Sequence, residues 1–276
     1  MASEVRPPVP DVPDGSPADP GPAVRTTTEG AVRTLTLDTP HNRNALSSRL
    51  MADLSTALAA AAADPSVRLV VLTGSGTVFS SGADLAERRR PSDEAPGPPG
   101  AGLPDVLDAI VEAPVPVLAR VNGHVRGGGI GLVAACDLAV AEAGATFAFS
   151  EVRVGVAPAI IAVPILAVAD RRALVRYALT GEVFGADEAF AMGLLTAAVE
   201  PGDLDRWVGG VAEGLLAGAP GAVAATKRLL VDLAGVPWDD ALARATALSE
   251  ELFASPEAAE GIAAFVERRP PGWTPA

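Results

Sequence analysis

The sequence predicts an α/β fold that passes into a mainly helical C-terminal region. Short runs of strand character alternate with helix-length amphipathic runs up to about residue 200. Beyond Ala186 the pattern is chiefly helical. The 276 residues are 49% hydrophobic and 20% charged, which supplies the apolar mass for a large core.

The first two dozen residues carry Pro7, Pro8, Pro10, Pro13, Pro17, Pro20 and Pro22 among acids, too little apolar surface to offset ordering, so residues 1–24 are expected to form a flexible tail. A strand is expected over Val32–Leu37, where Leu35 and Leu37 alternate with threonines. The segment from His41 to Pro65 has the pattern of one helix, with Leu46, Leu50, Leu54 and Leu58 at every fourth position. Leu69–Thr73 is a buried strand closed by Gly74-Ser75-Gly76, and the turn Ser80-Ser81-Gly82-Ala83-Asp84 leads into another helix. Residues 91–102 have the composition of a mobile loop. A strand over Pro114–Val121 follows, then a glycine cluster at 127–131 opening a helix through Ala135. Strands are expected over Asp137–Ala141 and Thr146–Phe149. The expected division is a core over residues 25–200 and a helical region over 201–276.

Several classes of function are excluded. A net charge of −13 opposes nucleic-acid binding, which needs a basic face. Arg68, Asp84, Arg120 and Asp137 interrupt the most apolar regions, so no membrane span is expected. The first residues lack the apolar stretch of a signal peptide, and the single cysteine, Cys136, permits no internal disulfide. Both fit a cytoplasmic location. No zinc-type Cys/His spacing, phosphate-loop motif or G-x-S-x-G nucleophile is present.

Gly129 to Ala134 matches G-x-G-x-x-A, the dinucleotide fingerprint, and Glu151 stands near the distance of a ribose-binding acid. The context is wrong for that use. Asn122 to Arg126 separate strand from glycines, and the strand Asp137–Ala141 intervenes before Glu151. Glycines at a helix start instead leave backbone N–H groups open, and the helix dipole adds to their pull on negative charge. The turn Ser81-Gly82-Ala83-Asp84 can aim another N–H at the same point. Two such donors on one carbonyl make an oxyanion hole, where losing one commonly costs roughly 3–4 kcal/mol of transition-state stabilisation.

The ordered strings Arg43-Asn44-Ala45-Leu46, FSSGADL (79–85), PVPVLARVNGHVRGGGIGLVAACDLAVA (114–141), FSEVRVGVAP (149–158), LTGEVFGADEAFAMGLL (179–195) and FVERRPPGW (265–273) resemble the crotonase (enoyl-CoA hydratase/isomerase) superfamily across nearly all of 25–273. The resemblance implies a spiral of ββα repeats with a C-terminal helical oligomerisation region, giving a homotrimer or hexamer. It implies enolate chemistry on an acyl-CoA thioester, with no metal or cofactor besides that substrate. Oxyanion N–H groups would come from Ala83 and Gly128, and the acid/base would be Glu151. Acyl-CoA contacts would fall on Arg43, Ala45, Ser81, Gly82, Asp84, Gly127 and Gly131. CoA is a polyanion, so an acidic chain must meet it with local cations, here Arg43, Arg88, Arg89 and Arg90.

One departure is informative. Two-glutamate hydratases of this family carry a first glutamate where this chain has Gly131. A single carboxylate suffices to move a double bond and can also direct hydration through one water. Hydratase is the first expectation, 3-enoyl to 2-enoyl isomerase the second, and a non-catalytic acyl-CoA-binding homologue the third. Asp84 is expected to cap a helix, as is Asp137. His124 and Arg126 share the glycine-rich turn as candidates for the missing acid and for a carboxylated acyl group, although backbone pairing and an ion pair are the plainer roles. Cys136 is expected to be inert.

Overall fold

The computed structural model describes residues 21–89 and 102–274. The expectations of a tail over residues 1–20 and a loop over 91–101, and the cation Arg90, lie outside the described residues. Ordered structure begins before the expected first strand. β1 (Val24–Glu29) pairs antiparallel with β2 (Val32–Leu37), with Val24 opposite Leu37. Ala23 and Val24 are buried, so the expected tail does not extend through residue 24. Gly30 (φ +56°) and Ala31 close the hairpin, a two-residue turn with glycine first that matches strand twist.

The expected helix from His41 is also corrected. A 3-10 turn at Pro40–Asn42 is followed by Arg43 and Asn44, both left-handed, and α1 (Ser48–Ala62) starts only after the Ser47 cap. Asn44 is fully buried, and its side chain secures the distortion. Oδ1 accepts from Thr39 N–H at 3.0 Å, while Nδ2 donates to the carbonyls of Ser75 (3.1 Å) and Val78 (2.8 Å). Asparagine is among the few residues that tolerate this backbone region. Leu50, Leu54 and Leu58 enter the core from α1, whereas Leu46 lies outside the helix and bridges Ala83.

From there the chain winds through repeated strand–strand–helix units. The first is β3 (Leu69–Gly74), β4 (Val78–Ser80), α2 (Leu85–Arg88) and α3 (Leu103–Val111). The second is β5 (Val117–Val121), β6 (His124–Arg126) and α4 (Gly128–Ala135). The third is β7 (Leu138–Glu142), β8 (Thr146–Ala148), a 3-10 turn at Ser150–Val154, α5 (Ala159–Val168) and α6 (Arg171–Thr180). β9 (Phe184–Gly185), α7 (Ala186–Ala191) and β10 (Ala197–Val199) complete the winding. Each unit contributes one strand to a sheet ordered β1-β2-β3-β5-β7-β10 and one to a smaller sheet ordered β4-β6-β8-β9. From β2 onward the large sheet is parallel. β3 is buried along its whole length, as a parallel strand covered on both faces must be.

Helices α8 (Leu204–Ala217), α9 (Pro220–Asp232), α10 (Trp238–Phe253) and α11 (Pro256–Glu267) form the C-terminal region. Leu204 and Ala212 of α8 pack on Leu69, Val71, Leu118 and Val140 of the large sheet. Arg68 donates to the carbonyls of Leu215, Gly218 and Trp273, and the Trp273 indole donates to Ala217 O at 3.1 Å. Asp137 is not a helix cap. Its Oδ2 accepts from Val117 N–H at 2.7 Å and pairs with Lys227 Nζ at 2.8 Å, clamping α9 to the entrances of β5 and β7. Cys136 is buried, and burial pushes its thiol well above the usual range. Among the described residues, no single helix is long and apolar enough to cross a membrane.

Candidate active site

The two glycine turns meet beside the N-terminus of α4. In a trans peptide the carbonyl and the following N–H point in opposite directions, so fixing one aims the other. Leu46 N–H donates to Gly82 O at 2.8 Å, which turns the Ala83 N–H the opposite way. Ile130 N–H donates to Gly127 O at 2.8 Å, drawing that carbonyl into α4 and leaving Gly128 N–H facing out of the helix end. Neither the Ala83 nor the Gly128 N–H has an acceptor among the described residues.

The glycines between them are required by close approach as well as by backbone angle. Gly82 has φ +83°, and a Cβ there would lie 2.8 Å from Arg126 O and 3.5 Å from Gly127 Cα. Gly127 has φ +47° and ψ −121°, and its Cβ would lie 2.9 Å from Glu151 Oε1. Gly82, Gly127 and Glu151 therefore occupy one locus, although they come from segments far apart in the sequence.

Glu151 enters from the 3-10 turn after β8 and is half-buried. Its Oε2 is buried without a hydrogen-bond partner among the described residues. Burial pushes its carboxyl above the ordinary glutamate range. A carboxylate with one oxygen unpaired among the described residues, beside open N–H donors, can exchange a proton with a bound molecule whose negative charge those donors hold.

Gly131 lies one turn into α4. A Cβ there would stand 2.5 Å from Ile161 Cγ2 and 2.9 Å from Ile161 Cβ. The slot is therefore covered by α5. Leu46 Cδ1 and Leu103 Cδ2 likewise crowd the face of Gly128, at 2.8 and 3.3 Å from the Cβ position. Leu103 and Ile161 were not anticipated as neighbours of these turns, because they come from segments remote in sequence without polar chemistry to mark them.

The remaining candidates divide clearly. Asp84 caps α2, its Oδ1 accepting from Ala86 and Glu87 N–H. Ser81 is tied to the Arg43 segment, its N–H donating to Arg43 O at 3.0 Å and its hydroxyl to Asn42 O at 3.3 Å. Ala45 is buried, whereas Arg43, Arg88 and Arg89 are exposed. Arg126 donates to Val125 O, Thr146 O and Thr146 Oγ1, and His124 Nδ1 lies 2.9 Å from the same hydroxyl. Both side chains thus brace β6 against β8. Among the described residues, no group of three or more His, Cys, Asp or Glu side chains is arranged to hold a metal.

Residues 27–276 match the model of the enoyl-CoA hydratase/isomerase family. The chain belongs to this family. An enoyl-CoA hydratase structure from Mycobacterium smegmatis superposes with a TM-score of 0.85 at 38% identity, covering 91% of this chain and 99% of that one. The (E)-benzylidenesuccinyl-CoA hydratase of Thauera aromatica is 31% identical over 87% of this chain and 94% of its own. The carnitinyl-CoA dehydratase of Escherichia coli is 32% identical over 90% and 96%. The two-sheet winding and C-terminal helices are those of the crotonase superfamily, and a hydratase-type enzyme is what the family and these relatives support.

Proposed function

We propose that this chain is an enoyl-CoA hydratase that adds water to a 2-enoyl-CoA with Glu151 as its only acid/base. The observation that carries the proposal is the buried, unpartnered Glu151 Oε2 set against Gly127 at the open end of α4. The thioester oxygen accepts from Ala83 and Gly128 N–H. Glu151 takes a proton from water as the oxygen of that water bonds to Cβ, and the electrons of the double bond pass to the thioester oxygen as an enolate. Glu151 then returns the proton to Cα, so that one water has been added across the double bond.

Around that centre, Ala45, Ser81, Gly82, Asp84, Gly127 and Gly131 shape the acyl-CoA site, and exposed Arg43, Arg88 and Arg89 meet the CoA phosphates. The thioester is itself the substrate, and no further cofactor takes part. The exposed Trp238, Phe253 and Phe265, at 78, 72 and 85% accessibility, support assembly as a trimer or hexamer.

A second outcome, moving a 3-enoyl double bond to the 2-position, is favoured by the Ile161 side chain over Gly131. That packing leaves Glu151 without a carboxylate partner at the family's first position. It also means that Gly131→Glu cannot restore one. This variant should lose about 1–3 kcal/mol of stability through overpacking and gain no hydration rate, as measured by urea denaturation and assay.

Absorbance of the conjugated thioester distinguishes the outcomes. Its disappearance with 2-enoyl-CoAs of varied chain length and branching is the expected result. Appearance from 3-enoyl-CoAs alone would establish the isomerase instead, and tight binding without either change would leave only an acyl-CoA-binding homologue.

A further inference from the structure

The geometry points to Ser80 as a positioning residue that sets one oxyanion donor against the other. This inference rests on the thioester role proposed above and adds to it a residue that touches no substrate. Ser80 is fully buried at the end of β4. Its hydroxyl donates to Asn44 O at 2.9 Å and accepts from Gly82 N–H at 3.2 Å. Those are the two backbone groups that begin and end a short path to the first donor. Asn44 precedes the Ala45-Leu46 segment, Leu46 N–H holds Gly82 O, and that carbonyl fixes the Ala83 N–H direction. One hydroxyl therefore ties the Asn44–Leu46 segment, which holds the peptide plane, to the turn containing it.

Ser80 also registers the second donor. A Cβ on Gly129 would lie 2.8 Å from Ser80 Cβ and 3.2 Å from its Oγ. Ser80 is thus in direct contact with the first turn of α4, whose first residue presents the Gly128 N–H. Backbone amides near Ala83 and Gly128 are referenced to the same short side chain, one by hydrogen bonds and the other by packing. Asn44 is already committed to Thr39, Ser75 and Val78, so the anchor at the far end does not yield.

Ser80→Ala removes the hydrogen bonds while keeping the Cβ against Gly129. Oxyanion donors act when charge develops on the oxygen, so misaiming one lowers kcat more than it raises KM, here by about tenfold or more in kcat. A kcat fall could also reflect a smaller folded fraction, so the deciding measurement is made per bound molecule. Isotope-edited infrared spectra are taken of a saturated acyl-CoA, 13C-labelled at the thioester carbonyl, bound to wild type and to Ser80→Ala. Wild type should lower the carbonyl frequency from its value in solution, and Ser80→Ala should reverse a large part of that shift at full occupancy. Ser80→Cys, with weaker hydrogen bonding, should fall between and carries the same comparison if the alanine variant does not fold. An equal downshift in wild type and variant overturns the role of Ser80 and leaves the oxyanion hole intact. No downshift in wild type overturns both.

Discussion

Replacing Glu151 with glutamine should lower turnover by about 10²-fold or more while the protein stays folded. Glutamine keeps the shape beside Gly127 but cannot take a proton from water. The loss should fall on kcat, because the thioester still reaches the Ala83 and Gly128 donors. A variant with wild-type turnover would remove Glu151 from the chemistry. The pH dependence provides a second check. Glu151 must be ionised to act as base, and burial raises its pKa, so the acid limb of kcat/KM should lie above that of a solvent-exposed glutamate.

The same shift has a consequence for stability, with a definite sign. A carboxyl whose folded pKa is raised binds its proton more tightly in the native state than in the unfolded chain. Native stability therefore falls as pH rises from the unfolded pKa through the folded one, and stays lowered above it. Glu151→Gln removes that loss. The variant should match wild type in strong acid and melt higher near neutral pH, as expected where a group is held in a costly setting for function. Equal melting temperatures across the whole range would mean that Oε2 is not desolvated in solution.

Much of this site was legible because its parts are backbone devices, and these leave glycines in the sequence. The strings around Gly82 and Gly127–Gly131 marked where N–H groups would be open, and Glu151 was marked by the resemblance that its FSEV string bears to the family. What escaped notice has a physical explanation. β4, β6 and β9 have three residues or fewer, so a period-two alternation has no length over which to appear. The helix before Ser48 was overextended because Leu46 continues the four-residue spacing, although the buried Asn44 amide holds its backbone in another conformation. Propensity yielded to one local and two tertiary hydrogen bonds. Ile161 over Gly131 was invisible for a different reason. An absent side chain in sequence does not disclose whether its space is empty, wet or filled from a distant helix.

Lys227→Met should cost about 3–5 kcal/mol, a large share of the roughly 5–15 kcal/mol that stabilises a native protein. Lys227 is the only lysine in the chain, and its side chain is 6% exposed. An ammonium has three protons to place. Here they meet Ile110 O at 3.0 Å, Val115 O at 3.2 Å and Asp137 Oδ2 at 2.8 Å. Methionine fills the volume but strands both carbonyls and, among the described residues, leaves the Asp137 carboxylate with only the Val117 N–H. Because the Asp137 side chain keeps 26% exposure and can regain some water, the lower end of the range is expected. Arginine would not restore the contact, since a planar guanidinium cannot direct three donors at acceptors around one point. Urea midpoints for Lys227→Met, Asp137→Asn and the double variant provide the measure. The double variant should be less destabilised than the sum of the two, because the second change removes a charge that the first has already left unpaired. Additive costs, or a loss below about 1 kcal/mol for Lys227→Met, would mean that α9 is held by its apolar contacts and that the ion pair is incidental.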